Sequence, residues 1–555
     1  MPRRPSPRQT PRPWLRLTLA AVAALSLLTA SCSSTGESLD SQRAPTDESL
    51  PEDGAPQDGG TLVVGVYQET SGWNPTYDRW AQMGALVGST VLEPLTVLDD
   101  QGRAQPWLAT AWRSDPTFKT WTITLRPGVR FHDGTAFDAD AVVANVEDQV
   151  KGVLSGLLMS KLIAGAHAVD ASTVQIDLLT PWAAFPEAYM ASQTSMMRSP
   201  KTMTETNPGS AHPVGTGPYV FKDWTRDDTF AVERNPSYWR AGEPHLDRLE
   251  FRVITEDSAR ATALRASDID MMFTLSAKDV AELDGDFTVV RDWDTEQTMM
   301  IANTRPMVGD HVNPMANIHG RRAIAMATDR QYLADLVGQG LQLYSAPFSP
   351  DSPWGLPEAQ AGYPAFDQDG ARKEVAAYLA DTGQSSMEIQ LLGIADTNSS
   401  GVLQALQAQW AEVGITSSVR TADATSLIQG MIGSVYDLVV TSIYSAPDPD
   451  QDFVFWSREY VADYGKLSIN FSGYSSDAIE ALIARSRSTG DQATRHDLLD
   501  QIVKEHNAQL TSIWMYATPF SLVAAPRVHG LKAIADEPFA NFQPKTWWGR
   551  IWLSR

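Results

Sequence analysis

Residues 387–443 read MEIQLLGIADTNSSGVLQALQAQWAEVGITSSVRTADATSLIQGMIGSVYDLVVTSI, and this stretch decides the fold class. Met387, Ile389 and Leu391 alternate with polar neighbours and predict a strand. Leu403, Leu406, Trp410 and Val413 recur at helical spacing, and Gly414 marks the end of that helix. Ile415 to Val419 predicts a second strand, a short helix follows near Ser426 to Ile432, and Asp437 to Ile443 predicts a third strand. A strand–helix–strand–helix–strand order implies a mostly parallel sheet with right-handed crossovers, hence an α/β fold.

The flanks give more isolated elements. Thr61 to Val66 is an apolar run behind Gly59-Gly60 and predicts a buried strand. Trp121, Ile123 and Leu125 alternate with polar residues, as do Val174, Ile176 and Leu178, and Leu249, Phe251 and Val253. Asp138 predicts a helix N-cap, with Val142, Val143, Val146 and Val150 on one face behind it. Asp477 and Asp491 predict two more caps, and Leu498, Leu499, Ile502, Val503 and His506 form the apolar stripe of the second helix. No internal repeat is visible, and composition alone places no domain boundary.

The 555 residues allow two to four domains. Hydrophobic residues are 43% and charged residues 20%, which excludes disorder of the chain as a whole. Lys and Arg number 44 against 67 Asp and Glu, a net charge of −23. That balance argues against nucleic acid and against electrostatic binding to anionic lipid.

The chain starts with Arg3, Arg4, Arg8, Arg12 and Arg16 and no acid, then an apolar run from Leu17 to Ala30. Such a run is too short for a permanent membrane span and fits the core of a signal peptide. It closes on Leu27-Leu28-Thr29-Ala30-Ser31-Cys32, which resembles the lipobox of bacterial lipoproteins, although Thr29 stands where Leu is commonest. Cys32 is the only cysteine, so no intrachain disulfide forms. The expectation is a signal peptide over 1–31, lipid on Cys32 and a Ser-, Asp-, Gly- and Pro-rich tether over 32–60. The body is then held on the outer face of a cell membrane.

A search for catalytic chemistry finds little. There is no G-x-x-x-x-G-K-[ST], no H-E-x-x-H and no G-x-S-x-G. Gly215-Thr216-Gly217-Pro218-Tyr219 begins like a dinucleotide loop but lacks the third glycine, and Pro218 removes a donor. Phe131-His132-Asp133-Gly134 sets an imidazole beside a carboxylate without further ligands nearby, and the plainer reading is an Asp-Gly turn. Asp448-Pro449-Asp450, with Asp452 behind, follows a strand end. It could bind a cation, meet an ammonium group or form a solvated turn.

Several blocks together resemble the family 5 extracellular solute-binding proteins, the dipeptide, oligopeptide and nickel receptors of ABC importers. Glu93-Pro94-Leu95, Pro106-Trp107-Leu108-Ala109 and Ala111-Trp112 match one family segment. Trp121 through Leu125-Arg126-Pro127-Gly128-Val129-Arg130-Phe131-His132-Asp133-Gly134 match the most specific one. Pro213 through Tyr219 match "P.GTGPY", and Arg234-Asn235-Pro236-Ser237-Tyr238-Trp239 match "rNp.YW". Asn303-Thr304, Arg322-Ala323-Ile324, Asp329-Arg330 and the stretch from Tyr436-Asp437 to Asp450 complete the series.

The resemblance implies a two-lobed periplasmic-binding-protein type II fold with an insertion subdomain in the first lobe. It implies a first lobe over 61–305, its insertion over 82–210, a second lobe over 306–525 and a return over 526–555. Ligand would be enclosed between the lobes by hinge closure. The loop from Gln68 to Asn74 should face the cleft, with Trp73 as an apolar wall and Asn74 beside it. Gln297 should line the floor, and Tyr444, Asp448 and Asp450 the opposite wall. One departure stands out. The acid by which dipeptide receptors hold the peptide ammonium is replaced by Ser445 or Ala446, leaving Asp448 or Asp450 to substitute. The implied function is a lipid-anchored monomer that binds a peptide or another small polar solute and delivers it to an ABC permease. No enzyme activity, cofactor or resident metal is implied. Open alternatives are an oligosaccharide or other non-peptide receptor, a peptide-sensing signalling receptor and an extracellular hydrolase.

Overall fold

The computed structural model describes residues 54–555 apart from 79, 81, 100, 154, 205–208, 293–295, 339, 396, 445–447 and 532–546. The arginine-rich leader, Cys32 and most of the tether lie outside the described residues.

Three sheets organise the chain. The first-lobe sheet has seven strands in the order Thr288–Asp292, Phe520–Ala524, Met271–Thr274, Thr61–Val66, Arg248–Val253, Thr229–Arg234 and Tyr219–Thr225. Thr61–Val66 sits at its centre, parallel to both neighbours, which explains an apolar run without alternation. The insertion sheet has four antiparallel strands, ordered Ala109–Ser114, Thr120–Leu125, Thr173–Leu178 and Ile163–Asp170. Here one face is buried, and the inward residues are the alternating Trp121, Ile123, Leu125, Val174, Ile176 and Leu178. The second-lobe sheet has five strands, ordered Ile415–Ala422, Met387–Ile394, Leu438–Tyr444, Glu296–Ala302 and Ser512–Ala517. Its first three are mutually parallel as residues 387–443 predict, and the last two add antiparallel pairing.

The expected helices form with small shifts. Asp138 caps Ala139–Lys151 by accepting from the Ala141 N–H at 3.1 Å. Asp491 caps Gln492–Gln509 through Thr494. At the helix Asp477–Arg487 the cap is Ser476, one residue earlier than expected; its hydroxyl takes the Ile479 N–H, and Asp477 stands in the first turn. An acid there still complements the positive helix end.

The chain passes from the first-lobe sheet to the second-lobe sheet between Asp292 and Glu296, and returns between Ala517 and Phe520. These passages precede the expected 305 and 525. The strand Glu296–Ala302 is buried along its whole length, and only its partners Leu438–Tyr444 and Ser512–Ala517 reveal which lobe it serves.

Residues of the insertion sheet and of the first-lobe sheet share one apolar core, which also takes in Trp547 and Trp548 from the return segment. The Trp548 indole donates to the Leu86 carbonyl at 2.9 Å. A separate core, built on Met300, Leu391, Leu406, Trp410, Leu438 and Ile513, fills the second lobe.

The sequence blocks of the first lobe meet at one buried carboxylate. Glu93 accepts hydrogen bonds from Trp107 Nε1 at 2.9 Å, Thr216 Oγ1 at 2.7 Å, Tyr238 OH at 2.6 Å and Trp239 Nε1 at 3.0 Å. Burial pushes its pKa up to about 6, while the four donors pull it back. Gly215 and Gly217 press against the backbone of Thr90 and Val91, where a Cβ on Gly215 would stand 2.0 Å from the Val91 carbonyl oxygen. His132 donates from Nε2 to the Gly217 carbonyl at 2.9 Å, and burial lowers its pKa to about 4. Asp133 accepts from the Thr135 N–H and from Ser199. The block Phe131 to Gly134 is therefore a turn that ties the insertion to the Gly215–Gly217 loop.

Candidate ligand site between the lobes

Beside the crossings three hydroxyls gather, two from second-lobe strands and one from the return passage. Thr298 Oγ1 lies 2.9 Å from Thr518 Oγ1 and 3.2 Å from Ser442 Oγ, and the last two are 3.3 Å apart. Ser442 is exposed. Three hydroxyls can each donate and accept, so the cluster can re-pair around a polar guest.

The first-lobe wall begins at Tyr67. Its hydroxyl donates to Gln82 Oε1 at 2.9 Å, and its ring stands edge-on to Phe520 at 6.4 Å. Burial, followed by the charge of Glu296, raises the phenol well above its usual range, so it stays a neutral donor. The Arg260 guanidinium lies 5.6 Å from the same ring. Hydrogen bonds to the Ile254, Thr255 and Phe273 carbonyls and an ion pair with Asp257 hold it there.

Trp73 and Asn74 lie in this wall but are enclosed. Trp73 is 2% exposed, with its ring 4.0 Å from Phe230 and edge-on to Trp80 and Trp224. Its indole N–H has no partner among the described residues. Asn74 is fully buried and accepts from the Thr76 N–H, shaping the turn. Gln297 is also buried; its amide reaches the Tyr344 carbonyl at 3.5 Å, and its Oε1 has no partner among the described residues. Tyr444 ends the neighbouring strand in register with Glu296.

Asp448 and Asp450 sit deeper. Asp448 caps the short helix Pro449–Phe455 and takes both terminal nitrogens of Arg495, at 2.8 and 2.5 Å. Asp450 takes Arg487 through Nε and Nη2, the latter at 2.9 Å. Both carboxylates are 1% exposed. Each acid is already neutralised in a two-point geometry, so neither offers a free charge to a ligand ammonium. The backbone of Tyr444 is thus one register step from Gln297, Trp73 and Asn74 are enclosed within the first lobe, and Asp448 and Asp450 serve as internal braces of the other lobe.

Sequence reasoning passed over the lobe–lobe contact itself. The Ala183 N–H donates to the Arg487 carbonyl at 2.8 Å, and Gln451 Nε2 donates to the Ala188 carbonyl at 2.7 Å. Lys161 reaches the Glu459 carbonyl and lies 4.5 Å above the Tyr460 ring. These partners stand hundreds of residues apart, and no spacing rule connects them. Among the described residues, no cluster of His, Cys, Asp and Glu is placed to hold a metal ion, and no helix is long and apolar enough to cross a membrane.

Residues 103–464, more than half of the chain, match the family described as bacterial extracellular solute-binding proteins, family 5, middle region. The chain belongs to this family. A glutathione-binding protein of Pectobacterium atrosepticum is 26% identical over 492 residues, covering 86% of this chain and 92% of the relative. The solute-binding fold is shared with the periplasmic protein DppA of Helicobacter pylori bound to the peptide STSA. That match has a TM-score of 0.77 and 20% identity, over 90% of this chain and 99% of the other. The binding protein AgaA from A. tumefaciens, in complex with agropinic acid, superposes with a TM-score of 0.76 and 23% identity, over 89% and 99% of the two chains. This solute-binding protein is thus a two-lobed type II molecule of the kind that works with ABC importers.

Proposed function

We propose that the protein is the lipid-anchored binding component of an ABC importer, which encloses a peptide or similar polar solute between its lobes and alters no bond in it. The observation that carries the reading is the pair of crossings, at Asp292–Glu296 and Ala517–Phe520, with polar hydroxyls between them. Two short passages between lobes suit a hinge, and ligand contacts to both lobes would bias closure. Relatives named for glutathione and peptides favour a peptide-like guest, whose backbone can pair with neutral donors and acceptors. The buried Gln297 Oε1 and Trp73 N–H are groups that a ligand or a held water would satisfy.

Calorimetric titration with glutathione, a panel of short peptides and a panel of oligosaccharides tests the solute class. One-to-one binding of a peptidic compound is expected. Binding confined to oligosaccharides, or turnover of any compound, would overturn the reading. Gln297→Ala should weaken peptide binding by about 1–2 kcal/mol per folded molecule and also lower the melting midpoint, because the side chain is buried; equal affinity would remove Gln297 from the site. Trp73→Ala is a poorer probe, because it empties a packed core position. Cys32→Ser should move the protein from the membrane fraction to the medium, and retention in the membrane would refute the anchor.

A further inference from the structure

We propose that closing of the two lobes takes up a proton at Glu187, so that mildly acid surroundings favour the closed form. The proposal rests on the hinge-closing reading above and adds a proton to it.

The insertion touches the second lobe through residues 182–189 and, further along, through Lys161. Glu187 stands between two of the cross-lobe hydrogen bonds, Ala183 to Arg487 and Gln451 to Ala188. Its carboxylate accepts from the Ala104 N–H at 3.3 Å. Across the contact stand Asp448 with Arg495 and Asp450 with Arg487. Those two acids and two guanidinium groups neutralise one another. Asp452, on the same turn, adds negative charge rather than positive. On the insertion side, the hairpin that packs behind Glu187 carries Asp99 and Arg103, which pair with each other at 2.9 Å. Glu187 is therefore an extra carboxylate beside two guanidinium groups, Arg487 and Arg495, that already have their own acids.

The electrostatics follow from that count. Burial raises the Glu187 pKa to about 7, the Asp448 charge adds to the rise, and the Ala104 N–H and Arg495 oppose it. With the lobes apart the side chain meets water, and its pKa returns towards the ordinary carboxylate range. The closed form then binds the proton more tightly. Its advantage is complete below the open-form pKa and is lost as pH rises through about 7. Glu93 and Asp437, both raised to about 6, have their partners inside a single lobe and do not change with closure.

The chain with Cys32→Ser carries no cysteine, so a label pair can be placed freely. Val153 and Leu467, 69% and 48% exposed, line the same crevice, one from the insertion and one from the second lobe. Spin labels on Val153→Cys and Leu467→Cys report the lobe separation without added ligand. The closed-to-open ratio should rise about tenfold from pH 8 to pH 6. Glu187→Gln should hold that ratio at the acid-side level across the range, and Glu187→Ala should flatten it as well. Two label distances whose ratio ignores pH in the wild type would overturn the proton latch alone, as would a wild-type slope retained in Glu187→Gln. A single distance at every pH and in every variant would overturn the latch and the hinge reading together.

Discussion

Asp450→Ala lowers the unfolding free energy by about 3–5 kcal/mol, because it strands the Arg487 guanidinium in the interior. The Arg487 side chain is 10% exposed and stands near the rings of Trp182 and Phe453, at 5.7 and 5.8 Å. Asp450 is its two-point partner. An arginine in this setting cannot shed its proton, so the charge remains buried and uncompensated. Denaturant unfolding followed by circular dichroism measures the loss. The double variant Asp450→Leu with Arg487→Met should recover most of it, since an apolar pair of similar volume avoids burying charge. An Asp450→Ala protein with the wild-type midpoint would show that the pair contributes nothing.

Glu93→Gln should destabilise the protein by about 3 kcal/mol, an unusually large effect for an isosteric change. The reason is geometric. Each Glu93 oxygen faces one indole N–H, Trp107 on Oε1 and Trp239 on Oε2. An indole nitrogen only donates. Whichever way a glutamine amide is turned, its NH₂ meets one of the two indoles donor to donor. The Thr216 and Tyr238 hydroxyls can rotate to accept, and the indoles cannot. The same unfolding measurement reads the cost, and a neutral result would mean that the amide is accommodated by movement of a tryptophan. Peptide affinity per folded molecule should be unchanged, because this carboxylate lies within the first lobe.

What could be read from the sequence divides along a physical line. Strands such as Thr120–Leu125 and helices such as Gln492–Gln509 carry their own periodicity, and a one-sided environment writes it locally. The blocks around Glu93, His132 and Gly215 were legible as a family signature, and the structure shows them to be scaffold: a four-donor hub, a turn and a close backbone approach. The site was far less legible. Thr298 meets partners 144 and 220 residues away, a separation that no local pattern encodes. Asp448 and Asp450 looked available for a ligand because the arginines that engage them lie 47 and 37 residues downstream. Side-chain type was visible in the sequence, but pairing was not. The crossings were misplaced for the same reason, since the wholly buried strand Glu296–Ala302 carries no sign of which sheet it joins.

The shared core beneath the insertion and first-lobe sheets has a mechanical result. Residues from both sheets interdigitate in it, so the insertion rides as cargo on its lobe rather than swinging on a joint of its own. Under the proposed closure the machine has one articulation, and a single ruler laid across the rim records its entire stroke.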